Sequence, residues 1–175
     1  MLAKSSHRAD VELTRERLPV PVIALIESAT GMENASSLSH TEGVTRLAFG
    51  IGDFRRDTGI GGDPMALAYP RSRLVIASRA AGLPGPIDGP TIGASIADLA
   101  ADIVTATGMG MTGKLCLRTA QAPIINQQLR PDDDEVEWAT GVIRKLTRPG
   151  VVVDGADKPR LARARALLER DEAFR

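Results

Sequence analysis

The chain has 175 residues, with 22 basic and 22 acidic side chains and an apolar fraction of 43%. That length suits one domain of roughly 100–200 residues, and the apolar fraction is enough for a buried core. Zero net charge excludes a general nucleic-acid or anionic-membrane binder, and no apolar run approaches the ~20 residues of a transmembrane helix.

Met1–Lys4 is a short apolar run. Ser5–Leu18 is charged and reads as a helix that Pro19 and Pro21 end. Val22–Glu27 is almost continuously apolar, as in a strand covered on both faces. A short helix fits Thr30–His40, and Val44–Gly50 reads as the next strand. After the glycine-rich loop Gly59–Asp63, Pro64–Ala81 is amphipathic, with Pro70 as a kink or a restart. Pro86–Gly89 is a short strand, Ser95–Thr107 a helix and Lys114–Leu117 a strand. Pro131–Asp134 opens a helix to about Leu146, its acidic residues matching the positive end of the helix dipole. Val151–Val153 is one more candidate strand and Pro159–Glu169 a last helix. This alternation predicts an α/β fold with a parallel sheet. The natural division is 1–128 for the sheet domain and 129–175 for a helical extension.

In such folds the chemistry gathers beyond the carboxyl ends of the strands. The first clear strand ends in Glu27 and the next in Gly50-Ile51-Gly52-Asp53. Neighbouring strands lie about 4.8 Å apart, so Glu27 and Asp53 can converge. Two such carboxylates repel unless a proton or cation lies between them, and Mg²⁺ takes one or two carboxylates. The pair is therefore either a metal site or two ordinary polar strand ends. Asp88 reads as a turn cap, and Lys114, at the start of its strand, as a group on the opposite face.

Other chemistries fit less well. Gly108–Lys114 matches most of a phosphate-cradling loop, but it follows a helix and opens a strand, the reverse of what that loop needs. His7 and His40 sit in polar segments and read as surface residues. Cys116 reads as a buried, inert thiol; a lone cysteine permits no intrachain disulfide and suits a reducing cytoplasm. Met1–Asp10 is too polar for a signal peptide. Trp138 and Tyr69 are too few for a base-stacking platform.

Val22–Gly31 (VIALIESATG), Arg46–Phe54 (RLAFGIGDF), Tyr69–Gly82 (YPRSRLVIASRAAG), Ile87–Gly89 (IDG) and Gly113–Leu117 (GKLCL) carry a resemblance. In order and spacing, the sequence resembles the citrate lyase beta-subunit-like family of the HpcH/HpaI aldolase superfamily. The resemblance implies a TIM (β/α)8 barrel and Mg²⁺-dependent cleavage or formation of the bond between an acyl-CoA and a 2-oxo acid. It implies that Glu27 and Asp53 are the metal carboxylates. It also implies that Asp157, in Val153-Asp154-Gly155-Ala156-Asp157, is the general acid or base; a helix N-cap is the alternative.

The family's barrel begins before the first residue of this sequence, so the expectation is an N-terminally incomplete barrel of about strands four to eight. The segment carrying the family's substrate arginine has no counterpart, which leaves the substrate-binding residues unassigned. Five strands cannot close a barrel of eight, so exposed edges predict a homo-oligomer or a partner chain. Two functions follow: a lyase with acyl-CoA and 2-oxo acid substrates, or a non-catalytic remnant or assembly subunit that needs the missing strands from elsewhere. Neither involves nucleic acid or membrane.

Overall fold

Short runs of Val, Ile, Leu and Phe become the strands β1 (Val22–Ile26), β2 (Val44–Phe49), β3 (Ile87–Asp88) and β4 (Gly113–Lys114). They form one parallel sheet in the order β1-β2-β3-β4. The computed structural model describes residues 1–93, 95–150 and 154–174. The chain divides into two units, Met1–Ile125 and Asn126–Arg175.

In the first unit, Ile26 lies opposite Phe49, Ala48 opposite Ile87, and Asp88 opposite Lys114. Leu2 bridges Ala24 in parallel, with hydrogen bonds to the Ile23 carbonyl (2.8 Å) and from the Leu25 N–H (2.9 Å). The apolar start therefore extends the pairing beside β1. Parallel strands need long crossovers, which are filled here by helices. Helix α1 (Arg8–Arg17) leads into β1. Helices α2 (Ala29–Glu33) and α3 (Ala35–Ser39) join β1 to β2, α4 (Ile51–Thr58) and α5 (Ala68–Ala80) join β2 to β3, and α6 (Ile96–Gly108) joins β3 to β4. The observed architecture is thus α/β with a parallel sheet.

Several boundaries differ from the sequence reading. The helix expected over Thr30–His40 is two short ones meeting at Asn34. Helix α4 escapes a sequence reading because glycines flank and interrupt it. Gly50 is its N-cap, and Gly59 (φ 73°) closes it by donating to the Arg55 carbonyl at 2.9 Å. Pro70 lies in the first turn of α5, where a missing N–H costs no helical bond, so it starts the helix rather than kinking it. The strand expected over Lys114–Leu117 ends at Lys114, so Cys116 falls beyond the ladder and is exposed rather than buried. The candidate strand Val151–Val153 lies outside the described residues.

Val22, Ala24 and Ile26 are buried, while Ile23 and Leu25 are half-buried, so β1 is less evenly covered than expected. Leu47, Phe49, Phe54 and Leu74 fill the core, with the rings of Phe49 and Phe54 edge-to-face at 5.3 Å. Arg46, on β2, donates to the Gly85 carbonyl and to Thr112 Oγ1, both at 2.8 Å. Burial pushes its guanidinium below the usual pKa, by desolvation of the charge.

Helix α7 (Ala122–Leu129) follows a single 3-10 turn at Thr119–Gln121. The second unit pairs α8 (Asp133–Leu146) with α9 (Asp157–Glu172). Asp132 caps α8 by accepting the Glu135 N–H at 2.7 Å, and Glu135 reaches back to the Asp132 N–H at 3.3 Å. Ala139, Val142, Leu146, Ala164 and Leu167 form the seam. Among the described residues, no helix is long and apolar enough to cross a membrane.

Candidate functional site

The carboxyl ends of β1 and β2 open onto a cavity of about 450 Å³ lined by Lys4, Ser6, Glu27, Ser28, Asp53, Arg56 and Asp57. Glu27 is the first residue past β1 and is buried. Asp53 lies in the first turn of α4, immediately after β2. A carboxylate there is favoured by the helix dipole. The structure thus brings Glu27 and Asp53 to one cavity, where the strand-end argument expects them.

The polypeptide holds these carboxylates from several sides. Glu27 Oε1 accepts the Lys4 backbone N–H at 2.7 Å. No hydrogen bond to Oε2 occurs among the described residues. Gly50 makes room for this side chain: a Cβ at position 50 would sit 2.4 Å from Glu27 Cβ and 2.8 Å from Oε2. Asp53 Oδ1 pairs with Arg56 at 2.6 Å, one turn along α4. Asp57 Oδ2 accepts the Ala29 N–H at 2.7 Å, tying the start of α2 to the helix that carries Asp53. Ser28 Oγ accepts the Gly31 N–H and shares a hydrogen bond with Ser6 Oγ, each at 3.1 Å.

These donors suit a hard divalent cation. Carboxylate oxygens are the ligands Mg²⁺ prefers, and it needs only one or two of them because it keeps waters. Among the described residues, no cluster of three or more His, Cys, Asp or Glu side chains exists for an ion that demands a full protein cage. Glu27, whose Oε2 takes no hydrogen bond among the described residues, and the part-exposed Asp53 therefore fit Mg²⁺ better than a structural zinc.

A second polar cluster lies at the ends of β3 and β4. Asp88 is fully buried. Its Oδ1 accepts from Arg71 Nε at 2.9 Å, and its Oδ2 accepts from Arg71 at 3.1 Å and from Lys114 Nζ at 2.9 Å. Lys114 Nζ also donates to the Gly89 carbonyl at 2.7 Å and lies 3.9 Å from Asp102, which accepts from Thr91. This corrects two sequence expectations. Asp88 is the centre of a buried ion cluster rather than a turn cap. Lys114 stands level with Asp88 at the carboxyl ends of the strands rather than on the opposite face, because β4 is only two residues long. Arg71 was missed: on an amphipathic helix a single arginine gives no sign of facing inward. Gly89 sits close against Ile51 and the Phe49 carbonyl, so this cluster supports the turn that carries Asp53.

Asp157 belongs to the second unit and is the first residue of α9. It is not the N-cap. Asp154 does that work, accepting the N–H groups of Ala156 at 2.7 Å and Asp157 at 2.8 Å. Asp157 itself lies 3.8 Å from Arg160. His7 and His40 are exposed, and the glycine-rich segment before Lys114 joins helix to strand, as expected.

Residues 2–118 match the family model of the HpcH/HpaI aldolase/citrate lyase domain, and residues 134–175 match that of the HpcH/HpaI aldolase C-terminal domain. The sequence is 26% identical to a citrate lyase subunit beta-like protein of Deinococcus radiodurans, covering 94% of this chain and 62% of the relative. It is 29% identical to a (3S)-malyl-CoA thioesterase of Cereibacter sphaeroides, covering 99% of this chain and 65% of the relative. The chain thus spans a little under two thirds of these relatives' length. Among solved structures, CitE of Mycobacterium tuberculosis, crystallised with magnesium, acetoacetate and coenzyme A, superposes with a TM-score of 0.74 at 24% identity, covering 98% of this chain and 67% of CitE. RipC of Yersinia pestis superposes with a TM-score of 0.71 at 27% identity, covering 76% of this chain and 64% of RipC.

Proposed function

This chain belongs to the HpcH/HpaI aldolase/citrate lyase family, and from that premise we propose that it provides the metal-binding part of a Mg²⁺-dependent lyase acting on a CoA thioester. The observation that carries the reading is the convergence of Glu27 and Asp53 on one cavity at the carboxyl ends of adjacent parallel strands. We read the four strands as part of a TIM-barrel wall. The substrate would be a 3-hydroxyacyl-CoA with a carboxylate on the hydroxyl-bearing carbon. Cleavage between C2 and C3 leaves the C3 oxygen as the carbonyl of a 2-oxo acid, and the bond pair passes to C2 as a thioester enolate. The hydroxyl proton leaves to a base, and a proton returns to C2.

The chain's residues divide this work by position. Glu27 and Asp53 supply the anionic ligands, and the Lys4 N–H and the Gly50 backbone keep Glu27 in place. The chemistry a bound divalent ion supplies is Lewis acidity, which stabilises negative charge on a substrate oxygen. The Asp57 bond to Ala29 ties α4 to the start of α2, so that the ligands are positioned before substrate arrives. Asp157 is our proposed carrier of the proton exchanged with C2.

The reading is tested by titrating Mg²⁺ calorimetrically into the wild type, Glu27→Ala and Asp53→Ala. Binding in the wild type and a loss of tenfold or more in each variant are expected; equal affinity in all three removes the site. The thioesterase relatives favour a second reading, thioester hydrolysis. Assaying 3-hydroxyacyl-CoA turnover for both a 2-oxo acid and free CoA thiol separates the two: lyase activity yields oxo acid without free thiol, and hydrolysis the reverse.

A further inference from the structure

We propose that Lys4 is the anion-binding residue of this site, its ammonium receiving the carboxylate of a 2-oxo acid; this rests on the metal-site reading above. Lys4 is the only non-glycine residue with a positive φ among the described residues, at 52°. A side chain with a β-carbon pays steric energy there that glycine does not. The backbone purpose of the conformation is visible: it turns the Lys4 N–H onto Glu27 Oε1 at 2.7 Å. Glycine would make that bond with less strain, so the backbone geometry gives no reason for a lysine side chain.

Lys4 is exposed and is one of the residues that line the cavity with Glu27 and Asp53. Two basic residues line that cavity, and they differ. Arg56 is held by Asp53 at 2.6 Å. The Lys4 ammonium has no ion pair or hydrogen bond among the described residues. It is therefore the cation available to an incoming anion. A compact ammonium with three rotatable donors suits a small carboxylate whose orientation is set elsewhere. The backbone N–H of Lys4 thus positions a metal carboxylate while its side chain recruits the substrate's carboxylate, coupling the two binding events at one residue.

The experiment uses the full chain, with pyruvate as the probe oxo acid. Pyruvate affinity is measured by calorimetry in saturating Mg²⁺ for the wild type, Lys4→Gly and Lys4→Arg, and Mg²⁺ affinity is measured separately for each. Lys4→Gly keeps the N–H and relieves the strain, so it should fold and bind Mg²⁺ within twofold of wild type while pyruvate affinity falls at least tenfold. Lys4→Arg should recover part of that loss. Pyruvate affinity within twofold of wild type in Lys4→Gly overturns the proposal, as does a wild type that binds Mg²⁺ but no pyruvate. A wild type that binds no Mg²⁺ overturns the underlying site as well, which keeps the two failures apart.

Discussion

The two units are stabilised in different ways. In Met1–Ile125, distant segments meet: β1 is flanked by residues 2 and 44–49, and the ion pairs at Asp88 join positions 17 and 26 residues away. In Asn126–Arg175, two helices pack along a seam of five buried apolar residues, with polar contacts mainly at caps and surfaces. The first arrangement costs more chain entropy to assemble but places charged groups where water is excluded. The second is easily encoded by helix periodicity, and its buried carboxylate, Asp171, pairs with the half-exposed Arg130 at 3.3 Å.

Three substitutions sharpen or break this contrast. The largest effect is expected for Asp88→Asn, which leaves the buried Arg71 and Lys114 charges without their carboxylate. Losing one member of a buried ionic group costs about 3–5 kcal/mol, readable as a fall in the urea midpoint. A loss below about 1 kcal/mol would show that the first unit does not depend on its buried polar geometry.

Gly50→Ala comes next. Its new Cβ meets Glu27 at 2.4 Å, and overpacking of this kind costs about 1–3 kcal/mol. Because the collision is with a proposed ligand, Mg²⁺ affinity should fall as well. Unchanged affinity in a folded Gly50→Ala protein would mean that Glu27 does not need the position seen here.

The smallest effect is expected in the second unit. Arg163 lies over the Trp138 ring at 5.1 Å. Removing an exposed cation–π contact with Arg163→Ala should cost about 0.5–1 kcal/mol by the same denaturation measurement. A cost matching that of Asp88→Asn would erase the distinction between the units.

The elements were legible wherever the signal is local. Pro19 ends α1, Ser95 caps α6 and the Asp132–Glu135 pair starts α8, because caps and proline act over a single turn. The apolar runs at Val22 and Val44 mark strands for the same reason: each is buried by its own composition. Helix α4 was not legible, since its glycines suppress helical propensity and it forms by packing Ile51 and Phe54 into the core. Glu27 and Asp53 could be placed at strand ends from the chain alone, but not the geometry around them. That the Lys4 N–H holds Glu27, that Asp57 ties α2 to α4, and that Arg71 and Lys114 share Asp88 are contacts between residues 17 to 28 positions apart. No local pattern encodes such contacts. The sequence by itself determined the alternation of strands and helices and the position of Glu27 and Asp53 at strand ends, because strand and helix signals are written residue by residue. Only the tertiary structure decided which charges are neutralised in the core and which face the cavity, because partner choice depends on the register that folding imposes.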